Sequence, residues 1–246
     1  MNTIQTLLDN LKNFGRKFTM HYQSNYASKT INWLPTDTEE LFNKTIKDPA
    51  KVKYLQENNL YDIEYTFNSH GFRTAEFDIT ECFVALGCSF TVGTGLQEYQ
   101  VWPSLLSERI SVPVYNLGVY GAAMDTIYRI AKEYLTTLNP KFVALLVPPK
   151  GRYEYFNGTS YRVITTASSN YGELHKFNST YDEVLTLNYE KNLICIQHMC
   201  NQLNIPLISV SSSELEAIDH ARDFEHQGPK CHKLMAEKFY QALGPI

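Results

Sequence analysis

Hydrophobic residues change their spacing along the chain near residue 81. Beyond that point, short continuous apolar runs alternate with longer stretches in which apolar residues recur every three or four positions. The apolar runs are residues 82–86, 112–117, 142–147 and 206–210. The stretches with helical spacing are residues 102–110, 124–138, 181–203 and 229–243. Runs without a polar face, each followed by a helix, are typical of a parallel sheet that is covered on both sides.

This alternation predicts an α/β fold, a three-layer sandwich in which helices flank a central parallel sheet, as in flavodoxin-like proteins. The length of 246 residues fits one large domain with an appended segment, at about 100–200 residues per domain. We assign residues 81–246 to the main domain and residues 1–80 to a mostly helical N-terminal extension packed on it. In such sheets ligands bind beyond the carboxyl ends of the strands.

Local signals within the extension predict several short elements. An amphipathic pattern predicts a helix over residues 1–14. Thr36 and Glu39 have the spacing of a capping box, which predicts a helix start. Asp48-Pro49 pairs a capping residue with a proline at the first helical position, which predicts a second start. Residues 63–67 alternate as a half-buried strand.

One connection in the main domain is far longer than a connector needs to be. Residues 148–180 include three early aromatic residues and a predicted hairpin at residues 161–166. Loops of this length in a compact domain are usually functional. We therefore expect this stretch to cover the ligand site and to decide the substrate.

Composition and charge exclude several classes of protein. The net charge of −4, with 43% hydrophobic and 20% charged residues, is typical of a globular protein. No basic run marks a partner such as nucleic acid or an anionic membrane. No apolar stretch reaches the roughly 18 residues of a membrane span, and polar residues interrupt the N-terminal pattern, unlike a secretory signal. We expect a cytoplasmic protein with reduced thiols, since five cysteines without C-x-x-C spacing indicate neither a disulfide framework nor a zinc site.

Two predicted turns at strand ends carry candidate chemistry. Ser89 follows the first strand on a glycine-flanked turn, where a nucleophile would expose its Oγ. A plain glycine-rich turn fits equally well. A P-loop does not fit, because no Gly-Lys-Ser/Thr follows, and a G-x-S-x-G elbow does not fit, because Thr91 replaces the required glycine. Gly121 follows the second strand and can offer its N–H to an oxyanion, or can simply supply a turn with positive φ.

A third candidate pair precedes the last helix. Asp223 and His226 lie three residues apart on one predicted loop, so the carboxylate can orient the imidazole through Nδ1 while Nε2 faces a nucleophile. Surface decoration is the alternative for such a common pattern. Among the other histidines, His220 beside Asp219 is the strongest competitor.

Together these motifs resemble the SGNH (GDSL) hydrolase superfamily over about residues 81–243. The shared features are Gly-x-Ser after the first strand, Asn-x-Gly-x-x-Gly after the second, and Asp-x-x-His before the last helix. The resemblance implies that Ser89 is the nucleophile and that Asp223 and His226 complete its triad. It also implies an oxyanion hole formed by the N–H groups of Ser89 and Gly121, and an esterase that uses neither a metal nor an organic cofactor.

The sequence departs from the family pattern at two places. Cys88 replaces the aspartate that precedes the serine, a position that supports the turn. After the third strand the family has Gly-x-Asn-Asp, whose asparagine completes the oxyanion hole, whereas this chain continues with two prolines. Arg152 is the candidate substitute, either as an oxyanion donor or as a ligand for an acidic substrate group, and a surface arginine is the alternative. Asn157 lies near but is offset.

The segment Asn-Ser-His-Gly-Phe-Arg at residues 68–73 is similar to an N-x-x-G-F-R stretch in some bacterial and bacteriophage members of the superfamily. Many of those members act on carbohydrate esters. By that likeness Arg73 lines the site, and the alternative is a turn held by a buried phenylalanine.

The sequence is compatible with three functions. The first is a serine esterase that removes a small acyl group, such as acetyl on a carbohydrate. The second is a catalytically degenerate SGNH domain that binds a glycan or a protein. The third is a structural or assembly role of the aromatic-rich extension, in which the chain forms a homo-oligomer, or associates with a virion if a bacteriophage encodes it.

Overall fold

The computed structural model describes residues 24–78, 81–156, 161–164 and 182–244. The predicted helix at residues 1–14 therefore lies outside the described residues. The strands, in chain order, are β1 (Thr30–Ile31), β2 (Tyr65–Thr66), β3 (Phe83–Leu86), β4 (Val114–Asn116), β5 (Val143–Val147), β6 (Tyr153–Phe156), β7 (Tyr161–Ile164) and β8 (Leu207–Ser211). The helices are α1 (Glu39–Thr45), α2 (Pro49–Glu57), α3 (Ser89–Val92), α4 (Trp102–Ile110), α5 (Met124–Leu138), α6 (Asp182–Gln202) and α7 (Pro229–Leu243).

The central sheet has four parallel strands in the order β4-β3-β5-β8. Ala85 of β3 lies opposite Asn116 on one side and Ala144 on the other. The connection after β3 leads to β4 on one side of β3, whereas the connection after β5 leads to β8 on the other side. The two connections therefore leave the sheet in opposite directions. Such a point is where open α/β sheets bind ligands.

Alternate strand residues pack against helices on opposite faces of the sheet. Val84 and Leu86 pack on one face in a cluster that includes residues of α5 and α6. Phe83 and Ala85 pack on the other face in a cluster that includes residues of α4 and α7. The α/β sandwich predicted from the apolar runs is thus confirmed. Within the described ranges, no helix is both long and apolar enough to cross a membrane.

Two connections differ from the predicted elements. The turn after β3 contains the four-residue helix α3, which the sequence pattern did not predict. The hairpin predicted at residues 161–166 begins earlier, because β6 pairs antiparallel with β7 and Tyr155 lies opposite Arg162. Most of the remaining 148–180 connection, residues 157–160 and 165–180, lies outside the described residues.

Residues before 81 share a buried cluster with the main domain. Leu55, Leu60 and Tyr65 are fully buried in this cluster together with Leu96, which follows α3. Strand β2 carries the predicted alternation, with Tyr65 buried and its neighbour Thr66 exposed. It pairs antiparallel with β1.

The first helix of this region begins at a different residue from the one predicted. The capping box predicted at Thr36 is wrong, because the N-cap of α1 is Thr38, whose Oγ1 accepts from the backbone N–H of Leu41 at 3.2 Å. Both threonines precede the helix, and only the second has its hydroxyl within reach of the first turn. The second predicted start is confirmed, since Asp48 caps α2 and accepts from Ala50 N at 2.9 Å.

We expect Thr38→Ala to lower the free energy of unfolding by about 1 kcal/mol, because the first turn of α1 loses its side-chain acceptor. Thr136→Ala, at an exposed position of α5, is the control and should change it by less than about 0.5 kcal/mol. Urea denaturation of both variants measures the difference. Equal losses, or a larger loss at Thr136, would contradict the assigned cap.

Candidate active site

Ser89 lies in the serine turn, which we define as residues 87–95, at the carboxyl end of β3. It is the first residue of α3, and 3% of its surface is exposed. Gly87 is needed before it because a Cβ there would lie 2.1 Å from Thr91 Oγ1. The first N–H groups of a helix have no partner within the helix, and no described residue accepts a hydrogen bond from the N–H of Ser89.

The glycine loop, residues 117–123, follows β4 and is hydrogen-bonded to the serine turn. Asn116 Nδ2 donates to the backbone oxygen of Thr91 at 2.6 Å. The N–H of Val119 donates to the backbone oxygen of Gly87 at 3.1 Å. The asparagine of the Asn-x-Gly-x-x-Gly motif therefore joins two loops.

The histidine loop, residues 219–228, precedes α7 and folds around a carboxylate. Asp223 Oδ1 accepts from the backbone N–H groups of Glu225 at 3.1 Å and His226 at 2.9 Å. Phe224, the residue after Asp223, has a left-handed φ of +56°, which is rare for a bulky side chain. This turn brings the side chains of Asp223 and His226 together.

Asp223, His226 and Ser89 form one hydrogen-bonded chain. Asp223 Oδ2 lies 2.6 Å from His226 Nδ1, and His226 Nε2 lies 2.8 Å from Ser89 Oγ. The carboxylate side chain is fully buried, and 12% of the imidazole is exposed. The geometry is that of a nucleophile, a base and an orienting acid.

The charge of Asp223 decides the direction of these hydrogen bonds. Burial raises the pKa of Asp223, but the hydrogen bond and the charge of His226, with backbone N–H donors, outweigh burial and leave the pKa below its ordinary value. An ionised carboxylate only accepts, so His226 Nδ1 carries a proton. In the neutral imidazole Nε2 then accepts from the Ser89 hydroxyl, which is the arrangement a general base needs.

Of the residues considered for the oxyanion hole, Gly121 lies in the glycine loop and Arg152 contacts that loop. Gly121 has φ of +67°, and among the described residues other than Gly121 and its two chain neighbours, no atom lies within 4 Å of the position that its Cβ would take. No described residue accepts a hydrogen bond from its N–H. Arg152 reaches the same loop, where its Nη1 donates to the backbone oxygen of Ala122 at 3.3 Å. Asn157 lies outside the described residues.

Three further side chains surround His226. The ring of Phe90 meets the imidazole edge-on at 5.5 Å, and the ring of Tyr120 lies 6.5 Å from it. Thr36 Oγ1 is 3.5 Å from Nδ1. Phe90 and Tyr120 lie within the motifs that contain Ser89 and Gly121, so the sequence could have placed them near His226. Thr36 lies 190 residues from His226, and no motif connects the two.

Tyr120 is held in its protonated form. Burial raises the pKa of its phenol, the Thr36 hydroxyl lowers it, and the nearby carboxylates of Asp223 and Glu225 raise it further, so that the pKa stays above its ordinary value. A neutral phenol can donate a hydrogen bond at physiological pH.

Arg73 does not line the site, and that prediction is wrong. Its side chain is buried, and its Nη1 donates to the backbone oxygens of Val92 at 3.2 Å and Gly93 at 2.9 Å. Its Nη2 donates to those of Leu96 at 3.0 Å and Glu64 at 3.3 Å. A guanidinium whose N–H groups meet so many carbonyl oxygens holds the end of the serine turn from behind.

His220 does not take the position that would make it an alternative base. It is exposed, and its backbone N–H and oxygen both hydrogen-bond the Tyr54 hydroxyl, at 3.0 and 2.6 Å. Its neighbour Asp219 accepts from the backbone N–H groups of Lys230 at 2.8 Å and Cys231 at 3.0 Å at the start of α7. This pair therefore stabilises the histidine loop and the final helix.

The hairpin of β6 and β7 is tied to α5 by a buried ion pair. Arg129 Nε and Nη2 donate to the two carboxylate oxygens of Glu154 at 2.6 and 2.7 Å. Thr126 Oγ1 adds a hydrogen bond at 3.0 Å, and the Arg129 guanidinium lies 3.8 Å from the centre of the Tyr161 ring. A bidentate pair of this kind fixes orientation as well as position.

Metal-binding side chains are scattered rather than clustered. In the part of the chain that the structure describes, no three His, Cys, Asp or Glu side chains are grouped so that they could hold a metal ion. All five cysteines are unpaired, and four of them are buried.

No protein-family model and no curated protein sequence matches the chain. Among solved structures, the psychrotrophic esterase EstA from a Pseudoalteromonas species is 13% identical, with a TM-score of 0.38 over 66% of this chain and 96% of that one. A protein of the G-D-S-L family from Desulfitobacterium hafniense is 16% identical, with a TM-score of 0.36 over 66% of this chain and 99% of that one. AlinE4, an SGNH-hydrolase family esterase, is 16% identical, with a TM-score of 0.36 over 66% of this chain and 74% of that one.

The lowered pKa of Asp223 predicts a pH-dependent contribution to stability. Because the pKa is lower in the folded than in the unfolded chain, the ionised carboxylate stabilises the fold above the ordinary value of 3.8, and this contribution is lost as the pH falls through the folded-state pKa. The loss in unfolding free energy caused by Asp223→Asn should therefore be larger at pH 7 than at pH 3. Denaturation at both pH values measures it, with the exposed Glu225→Gln as control. A loss that is independent of pH would contradict the prediction.

Proposed function

We propose that this protein is a serine esterase of the SGNH type that releases a small acyl group. The observation that carries the proposal is the unbroken hydrogen-bonded chain from Asp223 through His226 to Ser89. The chain lies at the carboxyl end of β3, beside the point where the sheet connections diverge. Both the order of the groups and their place in the fold support a nucleophilic mechanism.

The proposed reaction has two matched halves. Ser89 Oγ attacks the ester carbonyl carbon while its proton passes to His226 Nε2, and Asp223 stabilises the imidazolium that forms. The tetrahedral intermediate collapses as the imidazolium returns the proton to the leaving alcohol. Water then attacks the acyl-enzyme by the same route, so that the acid is released and Ser89 regains its proton.

The oxyanion is proposed to bind the N–H groups of Ser89 and Gly121. Support comes from the free first N–H of α3 and from the Gly121 N–H, which no described residue uses. Arg152 is proposed to supply the contact that the family draws from an asparagine, since it already reaches the glycine loop. Because arginine carries a charge, it also favours a substrate with an anionic group nearby.

The substrate is proposed to be a small acyl ester, with acetyl on a carbohydrate as the first candidate. Phe90 and Tyr120 flank the imidazole and restrict the space beside it, which supports a small acyl group. The hairpin fixed by Arg129 and Glu154 is the proposed specificity element.

We expect a fluorophosphonate probe to label the wild-type protein at Ser89, because the probe reports an activated serine hydroxyl. Ser89→Ala should abolish the labelling. Asp223→Asn should lower kcat/KM for p-nitrophenyl acetate by about 10⁴-fold, since it imposes the wrong imidazole tautomer. Gel fluorescence and peptide mapping identify the labelled residue.

The matched control is Ser107→Ala, a serine of α4 that donates to the backbone oxygen of Val112 at 2.8 Å and takes no part in the site. It should be labelled like the wild type. Absence of labelling in a folded wild-type protein would overturn the esterase and favour the second candidate, a degenerate domain that binds without turnover. The observation favouring that candidate is the pair of prolines after β5, where the family has its asparagine.

Steady-state kinetics distinguish the two roles proposed for Arg152, stabilising the oxyanion and binding an anionic substrate group. If it stabilises the oxyanion, Arg152→Ala lowers kcat by about 10²–10³-fold, as loss of one such donor does elsewhere. If it binds an anionic substrate group, KM rises and kcat is preserved. Lys150→Ala, the neighbouring exposed cation, is the control. Unchanged kcat and KM would exclude Arg152 from the site.

A further inference from the structure

Arg222, the residue before Asp223, forms a buried ion pair with Asp37 of the N-terminal region. Its Nε donates to the two Asp37 oxygens at 2.9 and 3.1 Å, and its Nη2 donates to Oδ2 at 2.7 Å. Both side chains are 2% exposed. Nη2 also donates to the backbone oxygen of Asn32 at 2.5 Å. The residue next to the triad carboxylate is thus held by a segment 185 residues away in the sequence.

Tyr65 extends this pair to the serine turn. Its hydroxyl donates to Asp37 Oδ2 and accepts from the backbone N–H of Gly95 at 2.7 Å. The N–H of Arg222 in turn donates to the backbone oxygen of Gly95 at 3.0 Å. Asp37, Tyr65, Gly95 and Arg222 therefore form a closed ring of hydrogen bonds between the loop that carries Ser89 and the loop that carries His226.

The same N-terminal segment covers the ring and reaches the imidazole. The indole of Trp33 lies over the Arg222 guanidinium at 4.4 Å. Thr36, the residue before Asp37, places its Oγ1 3.5 Å from His226 Nδ1. Packing on an aromatic ring excludes water from the ion pair and strengthens its electrostatic attraction.

We propose that Asp37 is a positioning residue of the active centre: through Arg222 it holds the histidine loop so that His226 stays within hydrogen-bonding distance of Ser89. This inference rests on the esterase proposed above. Phe224 in the same loop has a left-handed backbone, a conformation that persists only where the surroundings impose it. A displacement of about 1 Å in a catalytic group can cost about 100-fold in rate.

A purely structural role makes a different prediction. Replacing both members of a buried ion pair by apolar residues of similar size often leaves stability unchanged or improves it, whereas removing one member leaves an unpaired charge. The double substitution Asp37→Leu/Arg222→Met therefore keeps the fold but removes the directional hydrogen bonds to the histidine loop. Asp37→Asn alone risks unfolding and is not the deciding variant.

The experiment compares the second-order rate constant of fluorophosphonate labelling, and kcat and KM for p-nitrophenyl acetate, in the wild type and the double variant. Circular dichroism and thermal melting establish that both are folded at the assay temperature. We expect the labelling rate and kcat of the double variant to fall by about 10- to 100-fold, with KM changed by less than about threefold. A folded double variant within twofold of the wild type would overturn the proposal.

Leu135→Ala is the control for lost stability. Leu135 is fully buried on α5 in the cluster between that helix and the sheet, and it contacts neither Asp37 nor the histidine loop through any hydrogen bond. It should lower the melting temperature but leave the labelling rate of the folded protein unchanged. An equal fall in labelling rate for Leu135→Ala would show that general destabilisation explains the effect, and would also overturn the proposal.

A second readout separates this proposal from the esterase itself. The proton on His226 Nδ1, shared with Asp223 at 2.6 Å, should give a low-field proton resonance that disappears in Asp223→Asn. We expect it to shift or broaden in the double variant and to persist in Leu135→Ala. If the wild type is not labelled, the proposed esterase activity is wrong, and the resonance alone tests the positioning role of Asp37. An unchanged signal in the double variant then overturns that role, and a shifted, broadened or lost signal supports it.

Discussion

A buried guanidinium must find acceptors for its N–H groups, because removing a partner from a buried charge costs about 3–5 kcal/mol. Arg73, Arg129 and Arg222 are all buried, and the guanidinium of each donates hydrogen bonds to a different turn, hairpin or loop, although Arg73 Nε has no partner among the described residues. The first binds carbonyl oxygens at the end of the serine turn, the second binds the hairpin of β6 and β7, and the third binds Asp37. The serine turn, the β6–β7 hairpin and the histidine loop are therefore each held by the hydrogen bonds of a buried guanidinium.

Periodic hydrophobic patterns predicted the strands and helices of the sandwich because the burial of a strand or of one helix face imposes a local spacing on the apolar residues. The predicted helix at residues 124–138 matches Met124–Leu138, and that at residues 229–243 matches Pro229–Leu243. The helix α3 was not predicted, since four residues are too few to show a period. The cap predicted at Thr36 was wrong because the reach of the side chain, and not the spacing alone, decides which residue caps a helix.

Within the site, the sequence motifs indicated that the side chains of Ser89, Asp223 and His226 lie together. They did not indicate which buried residues hold the loops that carry these side chains. Ser89 and His226 lie 137 residues apart, and their contact was predictable only because the carboxyl ends of parallel strands share one edge of the sheet. Arg73 and Asp37 form contacts that no local pattern encodes. An arginine beside a turn motif is compatible with facing a substrate or with binding backbone oxygens from behind, and only its packing distinguishes the two.

The boundary near residue 81 marks a change in hydrophobic spacing, yet buried polar contacts cross it. Tyr65 links Asp37 to Gly95, and Arg222 closes the same ring from the other end of the chain. Because a carboxylate, a phenol and a guanidinium are all buried there, removing either Asp37 or Arg222 alone leaves the other as an unpaired buried charge. Loss of the N-terminal region would therefore expose or unpair Arg222, and the first structure to be disturbed would be the loop that holds His226 against Ser89.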